Sequence, residues 1–121
     1  MTYYIDVLLL DDDPDRTPLI QQHLAYTLAT VKPIITVVRT VDAFRKAIDE
    51  TRFDLIFLDH DLGTKETGYE AAQYLVSKGA ARRPIEVGVH SMNLPARRRV
   101  FNYLCDNGIV AREINLFNIY K

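Results

Sequence analysis

The chain has 121 residues, of which 48% are hydrophobic and 26% are charged, and its 15 basic residues nearly balance 16 acidic ones. This composition excludes a disordered chain, and the balanced charge argues against a general nucleic-acid binder, so we expect no binding to duplex DNA. No apolar run is long enough to span a membrane, and the N-terminus lacks the pattern of a signal peptide. A lone cysteine excludes an internal disulfide. We therefore expect a cytoplasmic protein.

The first half of the chain alternates apolar runs with amphipathic stretches. Residues 5–10 are apolar at nearly every position, as expected for a parallel strand covered on both faces. Leucine and isoleucine then recur at helical spacing over residues 15–29. The pattern continues with a strand rich in β-branched residues at 34–38, a helix at 41–50 and a third apolar strand at 54–58.

The second half repeats this alternation, with a helix at 68–78, a strand at 85–89, a helix at 95–106 and a strand at 109–114. The whole pattern predicts one domain over residues 1–121, with a three-layer, doubly wound α/β fold around a five-stranded parallel sheet. Cys105 lies in an apolar run and is interpreted as a small core residue.

The last seven residues, 115–121, are too few for a full fifth helix, so the final helix is predicted to be short or missing. One face of the fifth strand would then lack cover. The tail contains apolar residues that we expect to pack on the sheet or to form a homodimer, namely Leu116, Phe117, Ile119 and Tyr120.

Polar residues follow three of the predicted strands directly: Asp11, Asp12 and Asp13; Asp59, His60 and Asp61; His90, Ser91 and Asn93. The carboxyl ends of parallel strands share one edge of the sheet, where ligands bind in open α/β folds. Carboxylates gathered there repel one another, and a hard divalent cation resolves the conflict. We therefore predict Mg²⁺ or Mn²⁺ on Asp11, Asp12, Asp59 and Asp61. Helix capping is the alternative for the first group only.

Histidines and arginines at the same edge are candidates for phosphate chemistry. His60 and His90 are candidate acid–base groups, and Ser91 and Asn93 are candidate hydrogen-bond donors to phosphate oxygens. The alternatives are a histidine that covers the sheet edge and a satisfied core histidine. Arg97 and Arg98 are candidates for phosphate capture by bidentate hydrogen bonds, against the alternative of a solvated charged helix face.

Residues 4–114 resemble the receiver domain of two-component response regulators. The resemblance is carried by residues 7–14, by residues 53–59 and by the spacing from Asp59 to residues 67–70. It implies a flavodoxin-like sheet with strand order 2-1-3-4-5, and it implies that Asp59 accepts a phosphoryl group.

The same resemblance implies Mg²⁺ on Asp11 and Asp12, and it makes Ser91 the hydroxyl residue that follows the fourth strand. The sequence departs from these receivers after the fifth strand, where Asn115 stands in place of their near-invariant lysine. It departs again after the acceptor, where residues 61–63 replace the usual Met-Pro pair.

The chain is more similar to the divergent cyclic-phosphate-processing receiver domains, through residues 58–63, 67–68 and 90–93. This resemblance implies action on cyclic nucleotides or on RNA ends that carry a 2′,3′-cyclic phosphate. We therefore predict metal-dependent hydrolysis of a cyclic phosphate, with five residues in catalytic roles: Asp59, His60, His90, Ser91 and Asn93. The alternatives are a receiver that is phosphorylated on Asp59, and a degenerate receiver that acts as a protein-interaction module.

Overall fold

The structure is a computed structural model that describes residues 3–27 and 30–114, without the side chains of residues 25–27. In chain order, its elements are β1 (Tyr3–Leu10), α1 (Thr17–Thr27), β2 (Val31–Val38), α2 (Val41–Glu50), β3 (Leu55–Asp59), α3 (Gly68–Ser77), a 3₁₀ turn (Ala80–Arg82), β4 (Glu86–His90), α4 (Leu94–Asp106) and β5 (Ala111–Ile114). No helix in the described ranges is long and apolar enough to cross a membrane.

The five strands form one parallel sheet in the order β2-β1-β3-β4-β5, which confirms the predicted fold class and strand order. Leu10 of β1 pairs with Leu58 of β3, and Asp59 of β3 pairs with His90 of β4. The register therefore brings the carboxyl ends of these three strands side by side.

Helices cover the sheet on both faces. On one face, Ile20 and Leu24 of α1 pack with buried residues of β1 and β3. On the other face, α2, α3 and α4 contribute to a larger core that includes Phe44, Leu75 and Leu104. The central strands are apolar at nearly every position because both of their faces are buried.

Several boundaries differ from those predicted. Strand β2 begins at Val31 and includes Pro33, which an edge strand tolerates because one side of it lacks a neighbouring strand. Helix α1 begins at Thr17 because the preceding residues form a turn, in which the Arg16 N–H donates to the Asp13 carbonyl.

The interpretation of Cys105 as a core residue was wrong, since α4 buries Val100 and Leu104 and leaves Cys105 exposed. The predictions for residues 115–121, including the short final helix, the packing of the tail and the homodimer, lie outside the described residues.

Gly68, the first residue of α3, packs directly against the backbone that follows β3. A Cβ atom at this position would clash with the carbonyl oxygen of Asp59 and would lie 3.0 Å from the Cα atom of His60. The Gly68 N–H also donates to the His60 carbonyl at 3.2 Å. Thr67 and Glu70 form a capping box at this end of the helix. The start of α3 therefore fixes the position of the backbone that carries Asp59 and His60.

Substitution Gly68→Ala should lower the free energy of unfolding by about 1–3 kcal/mol, because the added methyl group meets backbone that cannot move independently. Denaturant titration followed by circular dichroism measures the change. Ser77→Ala, at the far end of the same helix, is the control and should stay within about 0.5 kcal/mol of wild type. Equal stability of Gly68→Ala and wild type would show that the contact is loose.

Candidate functional site

Three buried polar side chains meet at the carboxyl edge of the sheet. Asp11 follows β1, Asp59 ends β3 and His90 ends β4, and each is at most 1% exposed. One ligand atom from each side chain lies within 4.8 Å of the other two, and His90 Nε2 is 3.8 Å from Asp11 Oδ2. These three residues come from separate segments, and the sheet register brings them together.

Each of the two aspartates is oriented by a backbone N–H two residues further along the chain. Asp11 Oδ1 accepts from the Asp13 N–H at 2.8 Å, and Asp59 Oδ1 accepts from the Asp61 N–H at 3.1 Å. Such turns are a common use of aspartate where a strand ends. They fix both carboxylates within the same small volume.

Arg16 supplies positive charge to this pair. Its Nη1 atom donates to Asp59 Oδ2 at 3.0 Å and lies 3.4 Å from both carboxylate oxygens of Asp11. Its Nε atom lies 3.6 Å from Asp13 Oδ2. Arg16 is not among the site residues predicted from the sequence. The signal was available, because several adjacent carboxylates need a counter-charge and Arg16 is the first basic residue after the aspartate run.

Burial raises the pKa of both aspartates despite this ion pair. The pKa of Asp59 rises from 3.8 to about 7, chiefly because burial removes water from the carboxylate and secondly because Asp11 repels it. Burial likewise raises the pKa of Asp11. Arg16 therefore compensates only part of the negative charge of the two carboxylates. Asp59 keeps its proton up to about pH 7, where an exposed carboxyl group has already lost it.

His90 presents a nitrogen atom to the same space. Within the described part of the chain, its buried Nε2 atom has no hydrogen-bond partner. Burial, together with the charge of Arg16, lowers its pKa to about 3, so the imidazole is neutral near pH 7. A neutral imidazole opposes the predicted role of His90 as a proton donor. Two carboxylates and an unpaired neutral nitrogen are instead a donor set that fits a divalent metal ion.

The remaining polar residues form a hydrogen-bonded rim around the buried group. His60 Nδ1 lies 3.0 Å from Asp61 Oδ1, and the Ser91 hydroxyl donates to Asp61 Oδ2 at 2.8 Å. The Asn93 N–H donates to Ser91 Oγ at 3.0 Å. The His60 contact is the first cause of a lowered pKa at Asp61. The structure thus joins four residues predicted from two separate loops.

The other predicted site residues lie further out. Asp12 is exposed beside Gly63 and is not part of the group formed by Asp11, Asp59 and His90. Asn93 also caps α4, because its Oδ1 accepts from the Ala96 N–H. The two arginines predicted to capture phosphate both pair with one carboxylate of β5: Arg97 lies 3.2 Å and Arg98 2.8 Å from Glu113.

The raised pKa of Asp59 predicts a specific dependence of stability on pH. Unfolded Asp59 loses its proton near pH 4 and folded Asp59 near pH 7, so folding takes up a proton between these values. The stability of the metal-free wild type should therefore fall, relative to Asp59→Asn, by about 2–4 kcal/mol as pH rises through this window.

Denaturant unfolding in the presence of a chelator, from about pH 5 to pH 8, measures this difference. The lowered pKa of His90 acts with the opposite sign, adding stability as pH rises from about 3 to 6.5, but it is common to both proteins and cancels. Parallel stability curves for the two proteins would contradict the prediction.

Solved structures share this fold over nearly the whole chain. The phosphorylated cyanobacterial phytochrome response regulator RcpA is 22% identical, with a TM-score of 0.68 over 97% of this chain and 86% of its own. The receiver domain of the sensor histidine kinase PA1611 from Pseudomonas aeruginosa PAO1, solved with a magnesium ion in its active-site cleft, is 18% identical, with a TM-score of 0.66 over 96% of this chain and 91% of its own.

A third similar structure is the response regulator TrrA from Thermotoga maritima in complex with Mg²⁺ and BeF, which is 18% identical with a TM-score of 0.61 over 96% of this chain and 93% of its own. No curated protein matches the chain significantly. The family model of the cyclic-phosphate processing receiver domain matches residues 7–106, which is most of the chain. This match covers all three segments that meet at the buried site, and the chain therefore belongs to the cyclic-phosphate processing receiver domain family.

Proposed function

We propose that this chain hydrolyses a cyclic phosphate with the help of a divalent metal ion held by Asp11, Asp59 and His90. The observation that carries the proposal is the buried His90 Nε2 atom, which lacks a hydrogen-bond partner among the described residues and faces two carboxylates. A buried nitrogen in this state costs free energy unless a ligand satisfies it. A cation that binds all three side chains would relieve both this cost and the repulsion between Asp11 and Asp59.

The donor set favours Mn²⁺ over Mg²⁺. Mg²⁺ takes oxygen ligands almost exclusively, whereas an imidazole nitrogen suits transition metals, and Mn²⁺ accepts carboxylates readily. Once bound, such an ion polarises a phosphoryl oxygen and makes a water molecule more acidic. Magnesium remains the competing ion, because the structure of PA1611 was solved with magnesium in its cleft.

The rim residues have roles that do not depend on the ion. Hydrolysis adds water to phosphorus, breaks one ring P–O bond and transfers a proton to the leaving alkoxide. His60 is a better placed acid–base group than His90. Its Nδ1 atom is paired with Asp61, which leaves Nε2 as the nitrogen that exchanges a proton with the substrate. Ser91 holds Asp61 from the opposite side and so fixes the orientation of this pair.

As substrate we propose a cyclic mono- or oligonucleotide, or an RNA end with a 2′,3′-cyclic phosphate, in keeping with the cyclic-phosphate processing family to which the chain belongs. Asp61 is exposed and His60 partly exposed, so a substrate would reach the rim from solvent, whereas the three residues that would hold the ion are buried. Phosphorylation of Asp59 is the competing function, and it requires neither the His60–Asp61 pair nor the nitrogen of His90.

Metal titration tests the ligand set. Wild type should bind Mn²⁺ more tightly than Mg²⁺, and His90→Ala should lose at least about tenfold in Mn²⁺ affinity with a smaller loss for Mg²⁺. Asp59→Asn should weaken both, since it removes a charged ligand. Titration calorimetry on folded variants measures each affinity. An unchanged Mn²⁺ affinity in His90→Ala would remove this histidine from the site.

Turnover tests the reaction. Cyclic nucleotides and RNA with 2′,3′-cyclic ends should be opened to monoesters only with Mn²⁺ or Mg²⁺, and His60→Ala should reduce the rate by about 10²–10⁴-fold. His23→Ala is the matched control, because His23 lies in α1 and belongs neither to the group of Asp11, Asp59 and His90 nor to the chain of His60, Asp61 and Ser91. Stable labelling of Asp59 by acetyl phosphate, with no turnover of any cyclic phosphate, would favour the phosphorylated receiver instead.

A further inference from the structure

Arg16 has an unusual position among the arginines of this chain, because it contacts three carboxylates at the buried site. Its Nη1 atom lies between Asp59, at 3.0 Å, and Asp11, at 3.4 Å, and its Nε atom lies 3.6 Å from Asp13. Among the described residues, no other lysine or arginine forms an ion pair with Asp59. The guanidinium therefore lies where positive charge is most needed, next to the oxygens that would bind a metal ion.

The backbone around Arg16 is fixed, while its side chain reaches solvent. The Arg16 N–H donates to the Asp13 carbonyl, and the Arg16 carbonyl accepts from the N–H groups of Leu19 and Ile20 at the start of α1. The side chain is 31% exposed, in contrast to the almost fully buried carboxylates of Asp11 and Asp59. The backbone of Arg16 is thus held by hydrogen bonds, while its side chain borders on solvent, where there is room for the guanidinium to shift.

A metal ion and this guanidinium require the same carboxylate oxygens. Two cations within about 3–4 Å of each other repel strongly, so both cannot bind Asp11 and Asp59 in this arrangement. An ion bound to Asp11 and Asp59 would displace the guanidinium toward solvent, and the hydrogen-bonded backbone of Arg16 together with Asp13 would keep it at the site. A guanidinium released from one pair of oxygen atoms presents a planar fork that matches the oxygens of a phosphate group.

We propose that Arg16 is the phosphate-binding cation of this site: it neutralises Asp11 and Asp59 in the metal-free protein, and it binds the phosphate of the ligand once a metal ion occupies that position. The inference rests on the metal site of the proposed function. In this proposal one residue both competes with the metal ion and recognises phosphate. Arg97 and Arg98 do not recognise phosphate in this arrangement, because both pair with Glu113.

Two titrations test the proposal: Mn²⁺ into metal-free protein, and inorganic phosphate into Mn²⁺-loaded protein at concentrations below those that precipitate manganese phosphate. Arg16→Ala should bind Mn²⁺ roughly tenfold more tightly, because the competing cation is gone, and phosphate at least tenfold more weakly. Arg16→Lys keeps the charge without the fork, so its Mn²⁺ affinity should stay near that of wild type and its phosphate affinity should fall between the two.

Arg39→Ala is the matched control for loss of one positive charge at this edge, because Arg39 contacts the Asp12 carbonyl and none of the buried carboxylates. Both affinities should be unchanged in that variant. Added guanidinium ion should restore part of the phosphate binding of Arg16→Ala, which a purely structural role would not allow. If Arg16→Ala proves unstable, Arg16→Lys decides the question, since its phosphate affinity must fall.

Unchanged phosphate affinity in the Arg16 variants, or weaker Mn²⁺ binding in Arg16→Ala, would overturn the proposal. A wild type that binds neither Mn²⁺ nor phosphate would overturn it as well. Absence of turnover in a wild type that binds both would overturn the proposed hydrolysis alone, because these titrations measure binding and not catalysis.

Discussion

Two carboxylates from separate strands are buried side by side at the carboxyl edge of the sheet, and the rest of this edge is organised around their repulsion. Asp11 and Asp59 are almost fully buried, and the loss of water raises the pKa of each. Two backbone N–H groups and the guanidinium of Arg16 compensate part of that charge. Such an arrangement costs free energy in the folded state, and sites of this kind are commonly functional.

The scaffold that holds this pair is the ordinary core of a doubly wound fold. Apolar strands buried on both faces fix the sheet, and the parallel register then places Asp59 beside His90 without any contribution from the polar residues themselves. Gly68 permits α3 to begin against the backbone of residues 59 and 60. Apolar packing therefore fixes the positions of the site residues, and the burial of their polar groups lowers the free energy of unfolding.

His90 separates this site from one built from carboxylates alone. Its neutral imidazole adds a nitrogen donor beside two oxygen donors, while the His60–Asp61–Ser91 chain lies nearer to solvent. The buried group thus offers a donor set that fits a cation, and the outer group is a hydrogen-bonded chain nearer to solvent.

The sequence by itself determined the fold class, the strand order implied by the receiver resemblance, and the edge of the sheet at which the polar residues gather. These follow from local patterns, since apolar periodicity and strand-terminal polar residues are visible along the chain. The sequence also identified Asp11 and Asp59 as candidate metal ligands, although it could not rank them against Asp12 and Asp61, and it assigned His90 to acid–base chemistry instead.

Only the tertiary structure decided which side chains are buried together and which are exposed, because burial depends on neighbours that are distant in sequence. It exposed Asp12 and Cys105, paired Arg97 and Arg98 with Glu113, and placed the guanidinium of Arg16 against Asp11 and Asp59. It also made His90 neutral, since the pKa of an imidazole depends on the water and charge around it and not on its place in the chain.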